Sequence, residues 1–114
     1  RSGVRQMTVN DLLLNENFSA ITLPNGDREI SDVYIGDLLS WVMGRAKADD
    51  AWITIMSNVN ILAVASLADT ACIILAEGVT VDESIKATAV DKEINILSTD
   101  LSIYEAAISL NDML

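Results

Sequence analysis

The second half of the chain repeats one pattern three times. A run of apolar, β-prone residues ends in small or acidic polar residues, and a helical pattern follows. The runs are Trp52–Met56, Cys72–Ala76 and Ile94–Leu97. This alternation predicts an α/β domain with a small, mostly parallel sheet that is flanked by helices. Ligands in such domains bind at the carboxyl ends of the strands, so the residues that end each run are the first site candidates.

Local patterns predict the elements of the first half. Thr8 precedes a short apolar face and has Asp11 three positions later, a weaker form of the capping box that starts a helix. Strands are predicted at Phe18–Leu23 and Glu29–Ile35, joined by a turn at Pro24–Asp27.

Apolar spacing predicts a helix over Leu38–Ala48, followed by a charged, solvated loop at Lys47–Asp50. Two capping boxes predict the later helices. They are Thr80 with Glu83, opening a helix over Val81–Lys92, and Ser102 with Glu105, opening a final helix that ends near Met113.

The segment Asn58–Asp69 is almost wholly apolar, so periodicity alone cannot separate a buried helix from a strand. Its length, its alanines, and Ser57 and Asn58 as capping residues favour a helix. A helix that is apolar on all sides must be covered on all sides. In a domain this small, a second subunit is one source of that cover.

With 114 residues, the chain is expected to form one domain. We place that domain at residues 8–114 and interpret residues 1–7 as upstream native chain or a remnant of cloning. The apolar runs are much shorter than the roughly 20 residues that span a bilayer.

The net charge of −10 comes from 17 acidic and 7 basic residues. Such a surface repels phosphate backbones and anionic membranes, so neither nucleic acids nor membranes are expected partners. The single cysteine, Cys72, lies inside an apolar run and cannot form an internal disulfide. This pattern is typical of a buried thiol in a reducing, cytoplasmic protein.

The chain contains no histidine, which excludes Ser–His and Cys–His nucleophile pairs and the common zinc sites. Neither a GxxxxGK[ST] phosphate loop nor a GxGxxG turn is present. We therefore predict that the chain is not an enzyme, and that it has no catalytic residues, cofactor or resident metal.

Polar residues at the predicted strand ends form the candidate ligand site. Helix N-terminal N–H groups would converge there and could hold a phosphate, a carboxylate or a sugar hydroxyl. The alternative is that these residues only cap helices and shape turns. The candidates are Gly36, Asp37, Ser57, Asn58, Glu77, Gly78, Thr99 and Asp100.

Three further readings stay open. Asp37, Glu77 and Asp100 could form a carboxylate cluster for Mg²⁺, as a metal-dependent hydrolase would need. Arg28 lies in a charged turn, where it could pair with Asp27, Glu29 or a ligand anion. The two tryptophans, Trp41 and Trp52, could stack on a ligand ring, but aromatic residues in such apolar settings are more often expected in the core or in an interface.

From about Val33 to Leu110 the chain resembles the DRTGG domain and the related amino-terminal domain of HPr kinase/phosphorylase. The resemblance is carried by Val33–Leu39, Ala51–Met56, Asn60–Ala65, Ala71–Gly78 and Ile96–Asp100, with Tyr104 and Glu105. Ser57-Asn58 stands where the family has Asp-Arg. Ala76-Glu77-Gly78 stands where it has Thr-Gly-Gly, so only Gly78 carries over.

The resemblance implies an accessory regulatory domain that associates with itself. The kinase activity of HPr kinase resides in a separate P-loop domain, and nothing here resembles it. Our first hypothesis is a non-catalytic regulatory or interaction domain that acts as a homodimer, with a further protein partner possible. The alternative is a sensor of a nucleotide or another phosphorylated metabolite, bound at the strand ends.

Overall fold

The three repeated runs form adjacent parallel strands in the computed structural model, which describes residues 7–114. The elements in chain order are β1 (Met7–Thr8), α1 (Val9–Leu12), β2 (Phe18–Thr22), β3 (Glu29–Ile30), β4 (Asp32–Ile35), α2 (Leu39–Arg45), β5 (Asp50–Thr54), α3 (Asn60–Ala68), β6 (Cys72–Leu75), α4 (Glu83–Asp91), β7 (Ile96–Thr99) and α5 (Ile103–Met113).

The main sheet has five strands in the order β2-β7-β6-β5-β4. The four strands from β4 to β7 are parallel, and β2 pairs antiparallel with β7 at one edge. A separate two-stranded pair joins β1 to β3. The predicted α/β class, with a small, mostly parallel sheet flanked by helices, is confirmed.

Strand alternation divides the core between the two faces of the sheet. Trp52, Ile73 and Leu75 point to one face, where they pack against apolar side chains of α2, α3 and α4. Ile53 and Ile74 point to the other face, which α1 and α5 cover. The connections that follow β6 and β7 therefore leave toward opposite faces. That divergence makes the β6–β7 strand ends the place where an α/β sheet can open a crevice.

Two of the predicted caps are confirmed in atomic detail. Thr8 Oγ1 accepts the Asp11 amide at 3.1 Å and the Asp11 carboxylate accepts the Thr8 amide at 3.0 Å, a reciprocal capping box. Ser102 and Glu105 form the same arrangement at the start of α5. Both caps join residues only three positions apart, so they can be predicted from the local sequence without knowledge of tertiary contacts.

The cap predicted at Thr80 is wrong. Val81 is buried in the core ahead of the helix, and Asp82, whose backbone is extended, is the N-cap and accepts the Ile85 amide at 3.0 Å. Hydrogen bonds from the Ser84 hydroxyl and this amide lower the pKa of the Asp82 carboxyl. Burial of the apolar residue before the cap displaced the helix start.

Several boundaries also differ from prediction. The run Glu29–Ile35 is two strands, because β3 pairs with β1 while β4 pairs with β5. The strand predicted at Trp52–Met56 begins and ends two residues earlier, as β5. The strand predicted at Ile94–Leu97 begins and ends two residues later, as β7. Asp50 lies in β5 rather than in a solvated loop. Its buried carboxylate accepts the Lys47 amide at 2.8 Å.

The apolar segment Asn58–Asp69 is a helix, as predicted, but it is not covered on all sides. Ile61, Leu62, Val64 and Ala65 are buried, whereas Leu67 is 71% exposed. Helix α3 thus packs through one stripe and leaves part of its apolar surface in solvent.

The structure describes only the last residue of the predicted amino-terminal extension, Met7. Residues 1–6, most of the predicted extension, lie outside the described residues, and Met7 pairs with Ile30 in the small sheet. Across residues 7–114, every helix is too short or too polar to cross a bilayer.

Candidate functional site

The eight candidate residues all lie at the carboxyl edge of the parallel strands, but they form two separate corners. One corner follows β6 and β7 and contains Glu77, Gly78, Thr99 and Asp100. The other follows β4 and β5 and contains Gly36, Asp37, Ser57 and Asn58. We call them the β6–β7 corner and the β4–β5 corner.

Backbone hydrogen bonds close the β6–β7 corner. The Glu77 amide donates to the Leu101 carbonyl at 2.9 Å, and the Gly78 amide donates to the Thr99 carbonyl at 2.9 Å. Both donors adopt left-handed conformations, with φ of 59° at Glu77 and 74° at Gly78. A Cβ at Gly78 would lie 3.3 Å from Asp100 Oδ1. These bonds tie the loops after β6 and β7 to each other at the place where the topology could open a crevice.

A small polar cavity lies beside this corner, next to the β2 edge. Its volume is about 180 Å³, and Thr99 and Asp100 line it together with Glu16, Asn17, Ser19, Ser98 and Leu101. Pockets for drug-sized ligands are about 300–1,000 Å³, so this cavity suits a smaller group. Glu16 and Asp100 carry charge that repels an anion. Thr99 is itself buried, and its hydroxyl accepts the Leu101 amide at 3.1 Å.

Sequence reasoning missed Glu16, Asn17 and Ser19. The strand at 18–22 was predicted, but nothing local says that it pairs antiparallel with β7. That long-range pairing is what brings these residues beside Asp100. An available signal was the polar stretch just before the strand, which matches the polar ends of the other strands.

A side-chain carboxylate holds the β4–β5 corner together. Asp37 Oδ1 accepts the Thr54 hydroxyl at 2.7 Å and the Ile55 amide at 3.1 Å. Thr54 is fully buried, whereas the Asp37 residue as a whole is exposed. Asp37 therefore joins the end of β4 to the end of β5.

Trp52 and Gly36 make the second link at this corner. The buried indole N–H donates to the Gly36 carbonyl at 2.9 Å. A Cβ at Gly36 would come 3.0 Å from the Tyr34 ring, so the close approach favours glycine here. Trp52 is therefore a core residue with a polar anchor, as its apolar setting predicted.

Ser57 and Asn58 lead into α3. Asn58 Oδ1 accepts the Asn60 amide at 2.9 Å, and the Asn58 carbonyl accepts the Ile61 amide at 3.3 Å. Asn58 thus satisfies early amides of α3 from the position before the N-cap. The N-cap itself is Val59, which makes no side-chain capping bond, so the prediction of Ser57 and Asn58 as the caps is wrong. Ser57 lies half-buried before Asn58.

Exposed apolar side chains surround the β4–β5 corner. Val59 is 56% exposed and Leu38 is 59% exposed, at the starts of α3 and α2. Ile35 and Ile55, at the ends of β4 and β5, are also exposed. This part of the edge presents apolar surface, whereas the β6–β7 corner presents polar surface.

The magnesium hypothesis is wrong for these carboxylates. Asp37 is held against β5, while Glu77 and Asp100 lie in the loops after β6 and β7. Within the described part of the chain, no group of three or more His, Cys, Asp or Glu residues could hold a metal ion.

Arg28 pairs with other acids than its sequence neighbours. Its guanidinium lies 2.8 Å from Asp49 and 3.1 Å from Asp69, and it also donates to the Asp69 carbonyl at 2.6 Å. It bridges the loops before β5 and β6, at the edge opposite the candidate site. Its role in the structure is to join these loops.

Cys72 is fully buried in β6, as predicted from its apolar run. Burial away from water disfavours the thiolate and raises the pKa of the thiol to about 12. Because the thiolate is the reactive form, this cysteine is a packing residue.

Comparison with solved structures finds a relative of the same fold. The chain is similar to the CBS and DRTGG domains of the regulatory region of Clostridium perfringens pyrophosphatase, a structure with the activator diadenosine tetraphosphate bound. The TM-score is 0.72 at 15% sequence identity, over 88% of this chain and 44% of that chain. At this identity the likeness concerns the fold, and our chain spans less than half of that structure.

A comparison with curated proteins found no match. The profile of the DRTGG domain, by contrast, matches residues 16–113, a range that contains both corners and the whole five-stranded sheet. The chain therefore belongs to the DRTGG domain family.

Proposed function

We propose that the chain is a non-catalytic regulatory or interaction domain that acts as a homodimer. Membership of the DRTGG family supports the regulatory part, since the structural relative is a regulatory region. The observation that carries the interaction part is the apolar surface around the β4–β5 corner, described above. Exposed apolar surface of this kind marks protein contact sites.

The use of polar groups at the strand ends also supports this proposal. Asp37, Asn58 and Thr99 accept hydrogen bonds from the chain's own backbone, and the Gly78 amide donates to it. Groups that are engaged in this way stabilise the fold and would have to be released before they bound a ligand. A contact through apolar side chains needs no such rearrangement.

Sedimentation velocity over a concentration series tests the homodimer. We expect reversible dimerisation in the micromolar range, with the weight-average sedimentation coefficient rising with concentration. A single monomeric species up to about 100 µM, where even weak association at −5 to −6 kcal/mol is populated, would overturn the proposal.

The alternative function is a sensor of a nucleotide or another phosphorylated metabolite at the strand ends. Two observations favour it: the small cavity at the β6–β7 corner, and the nucleotide activator bound by the structural relative. The acidic lining opposes an anionic ligand unless a divalent cation accompanies it.

A thermal-shift screen against nucleotides, each with and without Mg²⁺, tests the sensor. A ligand at about 100 times its Kd adds roughly 2.7 kcal/mol to the free energy of unfolding, which raises Tm by several degrees in a domain of this size. A saturable rise in Tm that Asp100→Ala abolishes would favour the sensor. If no nucleotide changes Tm, the sensor is rejected and the interaction domain stands.

Three finer assignments are part of the same proposal. Residues 8–114 form the single domain, the cytoplasm is its compartment, and the amino-terminal domain of HPr kinase/phosphorylase is a relative. The buried, unpaired thiol of Cys72 supports the cytoplasmic compartment. The resemblance of the segments between Val33 and Leu110 supports the relation to HPr kinase/phosphorylase.

A further inference from the structure

Helix α2 has an outward face that nothing in the described chain covers. Its one buried residue, Val42, packs into the core beside α3, and the rest of the helix is exposed or half-buried. Trp41 is 53% exposed and Met43 is 45% exposed, on the two flanks of this face. Leu38, the N-cap residue of α2, is also exposed and lies on the Trp41 side of this face. We call these residues, with Ser40 and Gly44 between them, the α2 face.

The segment that carries the α2 face lacks acidic side chains, as do residues 51–68, which include the neighbouring helix α3. The chain carries 17 acidic residues, yet residues 38–47 contain none, and they include two of the seven basic residues, Arg45 and Lys47. The Arg45 guanidinium lies over the Trp41 ring, 3.7 Å from its centroid. A second chain with a net charge of −10 meets the least repulsion where the acids are missing.

Gly44 adds an independent observation from the backbone. It lies within α2, where glycine is a poor helix former, and its φ is not in the left-handed region. Among residues 7–114, a Cβ placed on it would meet no atom within 4 Å. No contact within this part of the chain therefore requires glycine at the position. Ser40 lies one turn earlier on the same side, so another helix can approach the backbone closely here.

We infer that two copies of the chain pack α2 against α2 through the α2 face, about a two-fold axis. Trp41, Met43 and Leu38 form the apolar contact, and Ser40 with Gly44 lets the helix backbones approach. A two-fold contact of this kind uses the same surface on both copies and closes at the dimer. This inference rests on the homodimer proposed above and places its interface on the α2 face, which shares Leu38 with the apolar surface around the β4–β5 corner.

The first test is Gly44→Leu, compared with Ala87→Leu at an exposed position of α4. Leucine is the better helix former and has open space at residue 44 of the monomer, so the fold is expected to persist by circular dichroism. Between two packed helices it is too large. We expect the dimer Kd to rise about tenfold or more for Gly44→Leu and to stay unchanged for Ala87→Leu.

The second test is electrostatic and uses Ser40→Glu with Ala87→Glu as the charge-matched control. An acid in the first turn of α2 suits the helix dipole, so the monomer should fold, but it places like charges at the contact. We expect a weaker dimer for Ser40→Glu alone. For the unmodified chain, raising the salt from about 0.05 M to about 0.5 M should tighten the dimer, because salt screens repulsion between the acidic copies.

The outcomes separate the two proposals. If the unmodified chain is monomeric, the homodimer itself is wrong. If it is a dimer that Gly44→Leu and Ser40→Glu leave intact, the homodimer stands and the α2 contact is wrong. If salt weakens the dimer, opposite charges hold the copies together and the α2-to-α2 arrangement is overturned.

Discussion

The two corners of the carboxyl edge occupy equivalent places in the topology but are built differently. The β6–β7 corner is closed by backbone hydrogen bonds from two consecutive left-handed residues, Glu77 and Gly78. The β4–β5 corner is joined by side chains, through the Asp37 carboxylate and the Trp52 indole. Backbone closure tolerates changes of side chain, whereas side-chain closure depends on particular residues.

This difference bears on the family resemblance at the β6–β7 corner. By that resemblance only Gly78 remains of Thr-Gly-Gly, and in the structure Gly78 is the residue whose φ of 74° and amide hydrogen bond to Thr99 complete the closure. A corner made by the backbone can lose the other two side chains and keep its shape. Substitutions should therefore have their largest effects at the β4–β5 corner.

The largest effect is expected at Trp52. Trp52→Ala leaves a cavity in the core and an unpaired Gly36 carbonyl, and we expect a loss of about 3–5 kcal/mol in the free energy of unfolding. Trp41→Ala is the matched control, because that ring is half exposed and should change stability by about 0.5 kcal/mol. Urea denaturation followed by circular dichroism measures both. Equal losses would mean that the two tryptophans share one structural role.

Asp37 comes next. Asp37→Ala leaves the buried Thr54 hydroxyl and the Ile55 amide without their acceptor, at a loss of about 1–3 kcal/mol in the same denaturation experiment. Asp37→Asn keeps one carboxamide oxygen in place of the carboxylate and should recover much of that loss. If the two variants were equally destabilised, the negative charge rather than the acceptor atom would hold the corner.

At the β6–β7 corner the sensitive position is Gly78. Gly78→Ala imposes a Cβ on a left-handed residue, which we expect to destabilise the fold by about 1–2 kcal/mol. Gly44→Ala is a control of opposite sign, since alanine is the better residue in an open helical position and should stabilise the monomer. Stability should be compared at a concentration below the dimer Kd. A tolerated Gly78→Ala would mean that the loop can relax away from Asp100.

Sequence reasoning located the elements whose signals are local. The capping boxes at Thr8 and Ser102, the apolar strands and the helix at 58–69 needed only neighbouring residues to be read. The same is true of the candidate set, because polar residues that follow parallel strands must lie at one edge. These residues do lie there, in both corners.

The rest depended on contacts between distant parts of the chain. The pairing of β3 with β1 split one predicted strand, burial of Val81 moved the start of α4, and pairing of β2 with β7 brought Glu16 to Asp100. The left-handed conformation of Glu77 is equally invisible in sequence, because glutamate has no preference for it. In the structure it accompanies the hydrogen bond from the Glu77 amide to the Leu101 carbonyl across the corner.

Glu77 therefore gives the smallest and most diagnostic effect. Glu77→Gly removes left-handed strain of about 1–2 kcal/mol but adds about 0.5–1 kcal/mol of backbone entropy loss on folding, so a gain of up to about 1.5 kcal/mol in the free energy of unfolding is expected. Glu77→Ala keeps the strain and removes the charge, which separates the two contributions. If Glu77→Gly instead lost stability, the Glu77 side chain would contribute more than its backbone. The β6–β7 corner would then depend on its side chains as the β4–β5 corner does, and the contrast between them would fail.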